Sequence, residues 1–385
     1  MAHSTIIGGS TAKRVMNCPA SVKLAQRAPQ DRGSEYAQVG TALHEVMEHL
    51  IAERLMAPQE ALGKTYADIR ITQELLNDKV LPAWDALNEI FDQYDVVEYM
   101  EESKVYFYDN SDIFGTTDVL AKTADGRILV LDFKFGDGVI VSPEDNEQLL
   151  FYAAAGMHTP DLMDFFEGAT ALTLGIIQPT PRSENTYSLH DYDNIDMLVP
   201  FKQAIFDAVK TAARPDAEVK SGDWCRFCPA LPFCPVKTGA ARAAKLIKAD
   251  DVEQLAESLR LAEELEPWIK SVRALAHEQM EQGVKVDGWK LVDKRASRSW
   301  ADEDAILDRL RKMKRIKLEE VTTVKLCTPP QLEKVCKSKS IDFSEFDKYI
   351  VKESTGTTIA HVSDKRKESA RSMSAALEGL ATILP

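Results

Sequence analysis

The chain has 385 residues, 44% of them hydrophobic, and a formal net charge of −14 at pH 7. No apolar run approaches the roughly 18 residues that span a bilayer. The opening MAHSTIIGGSTAKRVMNC lacks the apolar core of a secretory signal, so the sequence argues for a soluble cytoplasmic protein of a bacterial host and against a membrane partner. Single cores seldom grow past about 250 residues, which predicts a second domain.

Taken in chain order, residues 35–55 place Ala42, Leu43, Val46, Met47, Leu50 and Ile51 on a helical period and predict an amphipathic helix. A second helix is expected over 71–94. Lys104 to Tyr108, rich in β-branched and aromatic residues, suits a strand. Thr117–Lys122 and Ile128–Lys134 are apolar runs joined through Asp125-Gly126, a hairpin signal. A helix over 144–157 and a strand over 171–178 follow, the latter stopped by Pro179 and Pro181. This order predicts a mixed α/β domain over residues 1–240. Beyond Pro235, Asp250 and Glu253 form a capping box for a helix running toward Gly283 and kinked at Pro267. Residues 241–385 are lysine-rich and read as mainly helical.

Side chains alternate along a strand, so Asp132 and Lys134 share one face while Phe133 points to the other. A three-residue hairpin loop would set Asp118 directly opposite Asp132, about 5 Å away; a two-residue loop would offset them. Two carboxylates that close need a cation between them, and hard oxygen ligands suit Mg²⁺ or Mn²⁺. Gln148 and Tyr152 lie on one helical face, and His44 sits on the first amphipathic helix. Each alone has an ordinary explanation: a structural histidine, a surface pair, a chance Asp-x-Lys. Cys225-x2-Cys228-x5-Cys234 clusters three of six cysteines, which in a reducing compartment points to metal binding. Arg309 to Lys339 holds ten basic and three acidic residues, including Arg311, Lys312, Lys314, Arg315 and Lys317. That run reads as a phosphate-facing DNA-binding patch or as a solvated helix face.

The series Gly40-Thr-Ala-Leu-His44, Glu102, Phe114-Gly-Thr-Thr-Asp118, Leu131-Asp-Phe-Lys134 and Gln148-x3-Tyr152 resembles the RecB-like branch of the PD-(D/E)XK nuclease superfamily, over about residues 1–240. The resemblance implies a restriction-endonuclease-like core, a mixed sheet flanked by helices, that hydrolyses DNA phosphodiesters. It implies that His44, Asp118, Asp132 and the carbonyl of Phe133 hold Mg²⁺ or Mn²⁺. Lys134 would position the attacking water, and Gln148 and Tyr152 would orient the strand. Glu102, with Glu101 beside it, is similar in position to an acid of the branch. Iron-sulfur members of the branch, such as AddB, place one cysteine before the nuclease core and three after it with x2 and x5 spacing. By that resemblance Cys18, Cys225, Cys228 and Cys234 would hold a 4Fe-4S cluster that clamps the two ends of the domain, with zinc as the competing occupant. The layout, with Gly136-Asp-Gly138 and a lysine-rich tail, is similar to a phage or prophage family. Free-standing phage nucleases then suggest an exonuclease that resects double-stranded ends for recombination or repair. An endonuclease, a single-strand nuclease and a catalytically inactive DNA-binding module are the alternatives. No Gly-x4-Gly-Lys-Ser/Thr is present, so processivity would come from a homo-oligomeric ring, a clamp or a partner such as a single-strand annealing protein.

Overall fold

The computed structural model describes residues 4–28, 35–108, 110–243, 252–294, 297–313, 321, 329–338, 341–353, 356–361, 366–367 and 369. They fall into two compact units, Met1–Trp268 and Ile269–Pro385. The division lies inside a helix rather than near residue 240, where the composition changes. The continuous helix carries the chain past the end of the cysteine segment before the packing separates.

The first unit contains the helices α1 (Ala12–Asn17), α2 (Ser21–Ala25), α3 (Glu35–Ile51), α4 (Leu81–Gln93), α5 (Glu147–Gly156), α6 (Leu198–Ala213) and α7 (Pro235–Ala243), and most of α8 (Val252–Glu281). Its centre is a five-stranded sheet of β1 (Val96–Phe107), β2 (Asn110–Thr123), β3 (Arg127–Phe133), β4 (Ala171–Ile177) and β5 (Tyr187–Tyr192), neighbours in chain order. The sheet is mixed: β3 and β4 are parallel and the other pairs antiparallel. A parallel pair needs a long crossover; here the crossover contains α5.

The hairpin between β2 and β3 fixes the register of the site. Gly126 adopts φ +86°, a left-handed conformation that costs glycine little, and Arg127 N–H donates to the Thr123 hydroxyl at 3.0 Å. Ala124, Asp125 and Gly126 thus form the three-residue loop. Val119 pairs with Leu131, and one further step in that register sets Asp118 opposite Asp132.

Alternation along β3 explains the layers. Ile128 and Val130 pack with Val15 of α1, Phe151 of α5 and Ile205 of α6. Leu129, Leu131 and Phe133 pack on the other face with Leu43 and Met47 of α3 and Leu87 and Ile90 of α4. A sheet covered on both faces explains why β3 and β4 read as unbroken apolar runs. Each fully buried large apolar side chain, such as Phe133 or Phe151, contributes about 2 kcal/mol. The edge strand β1 extends well before Lys104; its first half is polar and partly exposed, so no alternation marked it. The strand β5 was likewise unmarked.

In the second unit, β6 (Trp289–Asp293) pairs with β9 (Thr357–His361), and β7 (Ser297–Trp300) with β8 (Ile350–Glu353), all antiparallel. The helices α9 (Glu303–Arg311) and α10 (Pro329–Ser338) supply Ile306, Leu310, Leu332 and Cys336 to a small core around Phe346. Among the described residues this unit is α+β, where the sequence suggested mainly helix. Its strands are short and their partners lie far away in the chain, so neither local periodicity nor a tight turn announces them. No helix among the described residues is long and apolar enough to cross a membrane.

Candidate active site and cysteine cluster

The end of β3 and the facing stretch of β2 bring the acidic residues together. The Asp118 carboxylate accepts the Phe133 backbone N–H at 2.6 Å through Oδ2, taking the place of a ladder carbonyl. Its Oδ1 lies 3.3 Å from His44 Nδ1, which α3 delivers. On β3, Asp132 Oδ2 pairs with Lys134 Nζ at 2.7 Å, as the shared face requires.

The helix α5 follows, capped by Asn146, whose side chain accepts from the N–H groups of Gln148 and Leu149. One turn of it projects both polar residues onto the strand. Gln148 Nε2 donates to Asp132 Oδ1 at 2.8 Å and to the Tyr152 hydroxyl at 3.0 Å, while Oε1 accepts from Lys134 Nζ at 3.1 Å. Only one amide orientation satisfies all three partners. Gln148 is therefore the hub of the network, not a surface residue.

Glu102 enters from β1. The register Glu101↔Val119 and Ser103↔Thr117 sets it opposite Asp118, and its φ of 41° is a strained conformation for a non-glycine residue. Ligand atoms of His44, Glu102 and Asp118 all lie within 4.8 Å of one another. The sequence reading grouped Asp132 and the Phe133 carbonyl with His44 and Asp118. In the structure Glu102 joins His44 and Asp118 in that group, and Asp132 is engaged by Lys134 and Gln148.

Burial dominates the electrostatics. Asp132 is pushed up to about 6, first by desolvation and then by Asp118, with Lys134 opposing. Glu102 is pushed up to about 7, again by burial first and the Asp118 charge second. Burial pulls Lys134 down, but Asp132 outweighs it and holds the ammonium above its usual value. The same contest at His44, with Asp118 as the opposing charge, also ends with the imidazole raised. Tyr152 is raised by burial and then by Asp132, so its phenol stays protonated. Two acids raised first by burial and then by the Asp118 charge make a site that a cation would relieve.

Two carboxylates and an imidazole form a donor set that suits Mg²⁺ or Mn²⁺. Asp132 Oδ2, buried and close to Lys134, makes no well-aligned hydrogen bond and keeps acceptor capacity for a cation. All these residues line one cavity of about 380 Å³, in the usual range of ligand sites. The cavity also takes in Gly8, Gly9, Ser10 and Thr11, which the sequence reading passed over. A Cβ at Gly9 would overlap the Tyr152 ring, and one at Gly115 would come within 2.8 Å of it. The Gly-Gly pair ahead of a hydroxyl pair was the available signal, since glycine permits such close approach.

The cysteines converge as well. Cys18 ends α1 and is buried; Cys225 and Cys228 are half-buried and Cys234 buried, and all are free thiols. The four line one small cavity of about 20 Å³, although more than 200 residues separate the first from the rest. Lys220 N–H points at Cys18 Sγ, 3.4 Å away. Burial raises the Cys228 thiol, opposed by the Ala230 backbone and by Arg14. Among the described residues, no three of these sulfurs lie within 4.8 Å of one another. Cys336 belongs to the second unit's core, and Cys327 lies outside the described residues.

The basic run is only partly described. Arg311 pairs with Asp308 at 2.9 Å, and Lys312 is exposed. Lys314, Arg315 and Lys317 lie outside the described residues.

The family model described as "Protein of unknown function (DUF2800)" matches residues 3–367. The chain belongs to this family. The match spans both units. Two solved structures are similar in part. One is titled "Crystal structure of SSO0001", with a TM-score of 0.24 and 10% identity over 59% of this chain and 97% of that one. The other is an alkaline exonuclease (LHK-Exo) from Laribacter hongkongensis, with a TM-score of 0.24 and 12% identity over 52% of this chain and 90% of that one. At such scores the overlap carries no argument, and the functional reading rests on the site itself.

Proposed function

We propose that the chain is a metal-dependent nuclease that hydrolyses phosphodiester bonds in DNA. The observation that carries this reading is the convergence of Asp118, Asp132 and Lys134 in one cavity with His44, Glu102 and Gln148. Mg²⁺ or Mn²⁺ held by Asp118, Glu102 and His44, with Asp132 and the Phe133 carbonyl beside them, would neutralise phosphate charge and make bound water more acidic. Lys134, kept charged by Asp132, faces the charge that develops on the scissile phosphate. Gln148 holds both ends of that ion pair, so it fixes where the ammonium points. Tyr152 remains a neutral hydrogen-bonding group and closes the wall behind Gln148.

The finer reading is an exonuclease that resects double-stranded ends during phage recombination or repair, working in the cytoplasm with a recombination partner. Endonuclease or single-strand activity is the alternative within the same chemistry. An inactive binding module is less favoured, because a buried acid pair that serves no cation only destabilises the fold. The four cysteines are read as ligands of a 4Fe-4S cluster. Tetrahedral zinc is the competing occupant of a four-cysteine site; structural zinc sites pair two short Cys-x2-Cys knuckles, whereas here one triplet meets one distant cysteine. By joining α1 to the segment after α6 the cluster would hold the two ends of the domain.

The test uses end-labelled linear and circular duplexes with Mg²⁺ or Mn²⁺, comparing wild type with Asp132→Ala. Loss of label from linear DNA alone supports an exonuclease, and cutting of circles supports the endonuclease reading. Equal activity in Asp132→Ala would remove the proposed site.

A further inference from the structure

Among the described residues of the first unit, the most exposed large aromatic side chain is Phe227, with 83% of its surface open to solvent. It occupies the middle of Cys225-Arg226-Phe227-Cys228. Isolated exposed apolar residues are common, but this one is held out by its surroundings. The loop is a run of tight turns, with Cys225 N–H bonded to Gly222 O, Arg226 N–H to Asp223 O and Cys228 N–H to Cys225 O. Lys13 of α1 pins it through Asp223 at 2.5 Å. The cysteines on either side of Arg226-Phe227 line the small cavity, while the Phe227 ring stands in solvent. The exposed Arg226 lies over it, its guanidinium carbon 5.7 Å from the ring centroid.

The surrounding charge differs from the rest of the molecule. Residues 4–28 carry Lys13, Arg14, Lys23 and Arg27 and no acidic residue, and 217–236 carry two basic and two acidic residues. Lys13 is paired with Asp223 and Lys220 with Glu218, and Arg14, Lys23, Arg27 and Arg226 remain as an excess of positive charge in a chain of net charge −14, which favours a polyanion on this surface. It lies near the cavity along the chain: Gly8 to Thr11 line the cavity wall, and α1 leads from Thr11 to Cys18, roughly 10 Å along the helix.

We infer that the Cys225–Cys228 loop is a second nucleic-acid contact, in which Phe227 stacks on an unpaired base and Arg226 meets the adjoining phosphate. The ligand is single-stranded DNA, because a ring standing in solvent can stack only on a base whose face is free. The inference builds on the nuclease reading in placing the same strand in the cavity, but the loop's contact stands on its own residues.

The test is anisotropy of labelled oligo(dT) with the full chain, Ca²⁺ replacing Mg²⁺. Phe227→Ala is expected to weaken binding about five- to a hundredfold, the loss of one stacked base, and Phe227→Trp to restore it. Arg226→Gln should lower the slope of log affinity against log salt by about 0.7. Melting temperature and the thiol or cluster absorbance should not move in either variant. Binding by Phe227→Ala within about twofold of wild type, or an equal loss on blunt duplex, would overturn the inference. Oligo(dT) binding that depends on Phe227 in a protein that cleaves no DNA would uphold the loop contact and sink the nuclease reading alone.

Discussion

The acidic site and the cysteine cluster sit in the same unit but are built in opposite ways. The acidic site is made by a hairpin register and one helical turn, and its groups already bond one another: Asp118 to a backbone N–H, Asp132 to Lys134 and Gln148, Gln148 to Tyr152. The cysteines come from segments more than 200 residues apart and share little beyond a small cavity. The first region is organised before any ion arrives, so losing a ligand there should cost chemistry more than fold. On the cluster reading proposed above, the second depends on what binds it, so losing a ligand there should cost fold.

The largest effect that would break this contrast is in activity. Asp132→Asn should lower hydrolysis by about a thousandfold or more, the scale at which one preorganised electrostatic group acts, while the melting temperature stays near wild type. Single-turnover cleavage and a melt together decide it; a large fall in both would mean the site is structural. Cys18→Ser should do the reverse. It should lose bound iron and about 3–5 kcal/mol of stability, comparable to opening a cross-link that closes so long a loop. Iron content and urea unfolding measure this, and unchanged iron would break the cluster assignment. Gln148→Leu falls between, with the rate down about 10- to 100-fold through misplacement of Lys134. A kcat effect with unchanged KM would separate positioning from substrate binding.

The same contrast governs what the sequence revealed. Asp118 opposite Asp132 was legible as one of two registers, because the Asp-Gly turn could close a loop of two or three residues; the structure has the three-residue loop. Gln148 and Tyr152 were legible because a helix repeats every turn. Glu102 was placed in the chain, but its junction with His44 and Asp118 was not. That depends on β1, an edge strand whose polar first half has no alternation, and on a positive φ that no residue type signals there. Gly8–Thr11 were invisible as cavity residues because only tertiary packing brings the first segment against Tyr152. The second unit's sheets were missed for the same reason, since β6 and β9 find each other across more than 60 residues.

The smallest effect sharpens the proposal that the acidic site holds a cation. Both Asp132 and Glu102 have folded-state values above their unfolded ones. The folded protein therefore binds more protons than the unfolded chain between about pH 4 and pH 7. Each residue's contribution to stability is thus full below its unfolded value and is lost as pH rises through its folded one. In EDTA the protein should melt at a lower temperature near pH 8 than near pH 5, with Glu102 contributing on the order of 1 kcal/mol after solvent screening. Glu102→Gln should flatten that slope, and Mn²⁺ should stabilise wild type at pH 8 more than Glu102→Gln, because the ion binds the ionised carboxylate. Thermal melts at the two pH values, with and without Mn²⁺, test both. An unchanged pH slope in Glu102→Gln would show that the strained carboxylate on β1 does not face the acids opposite it, and the triad would lose its third member.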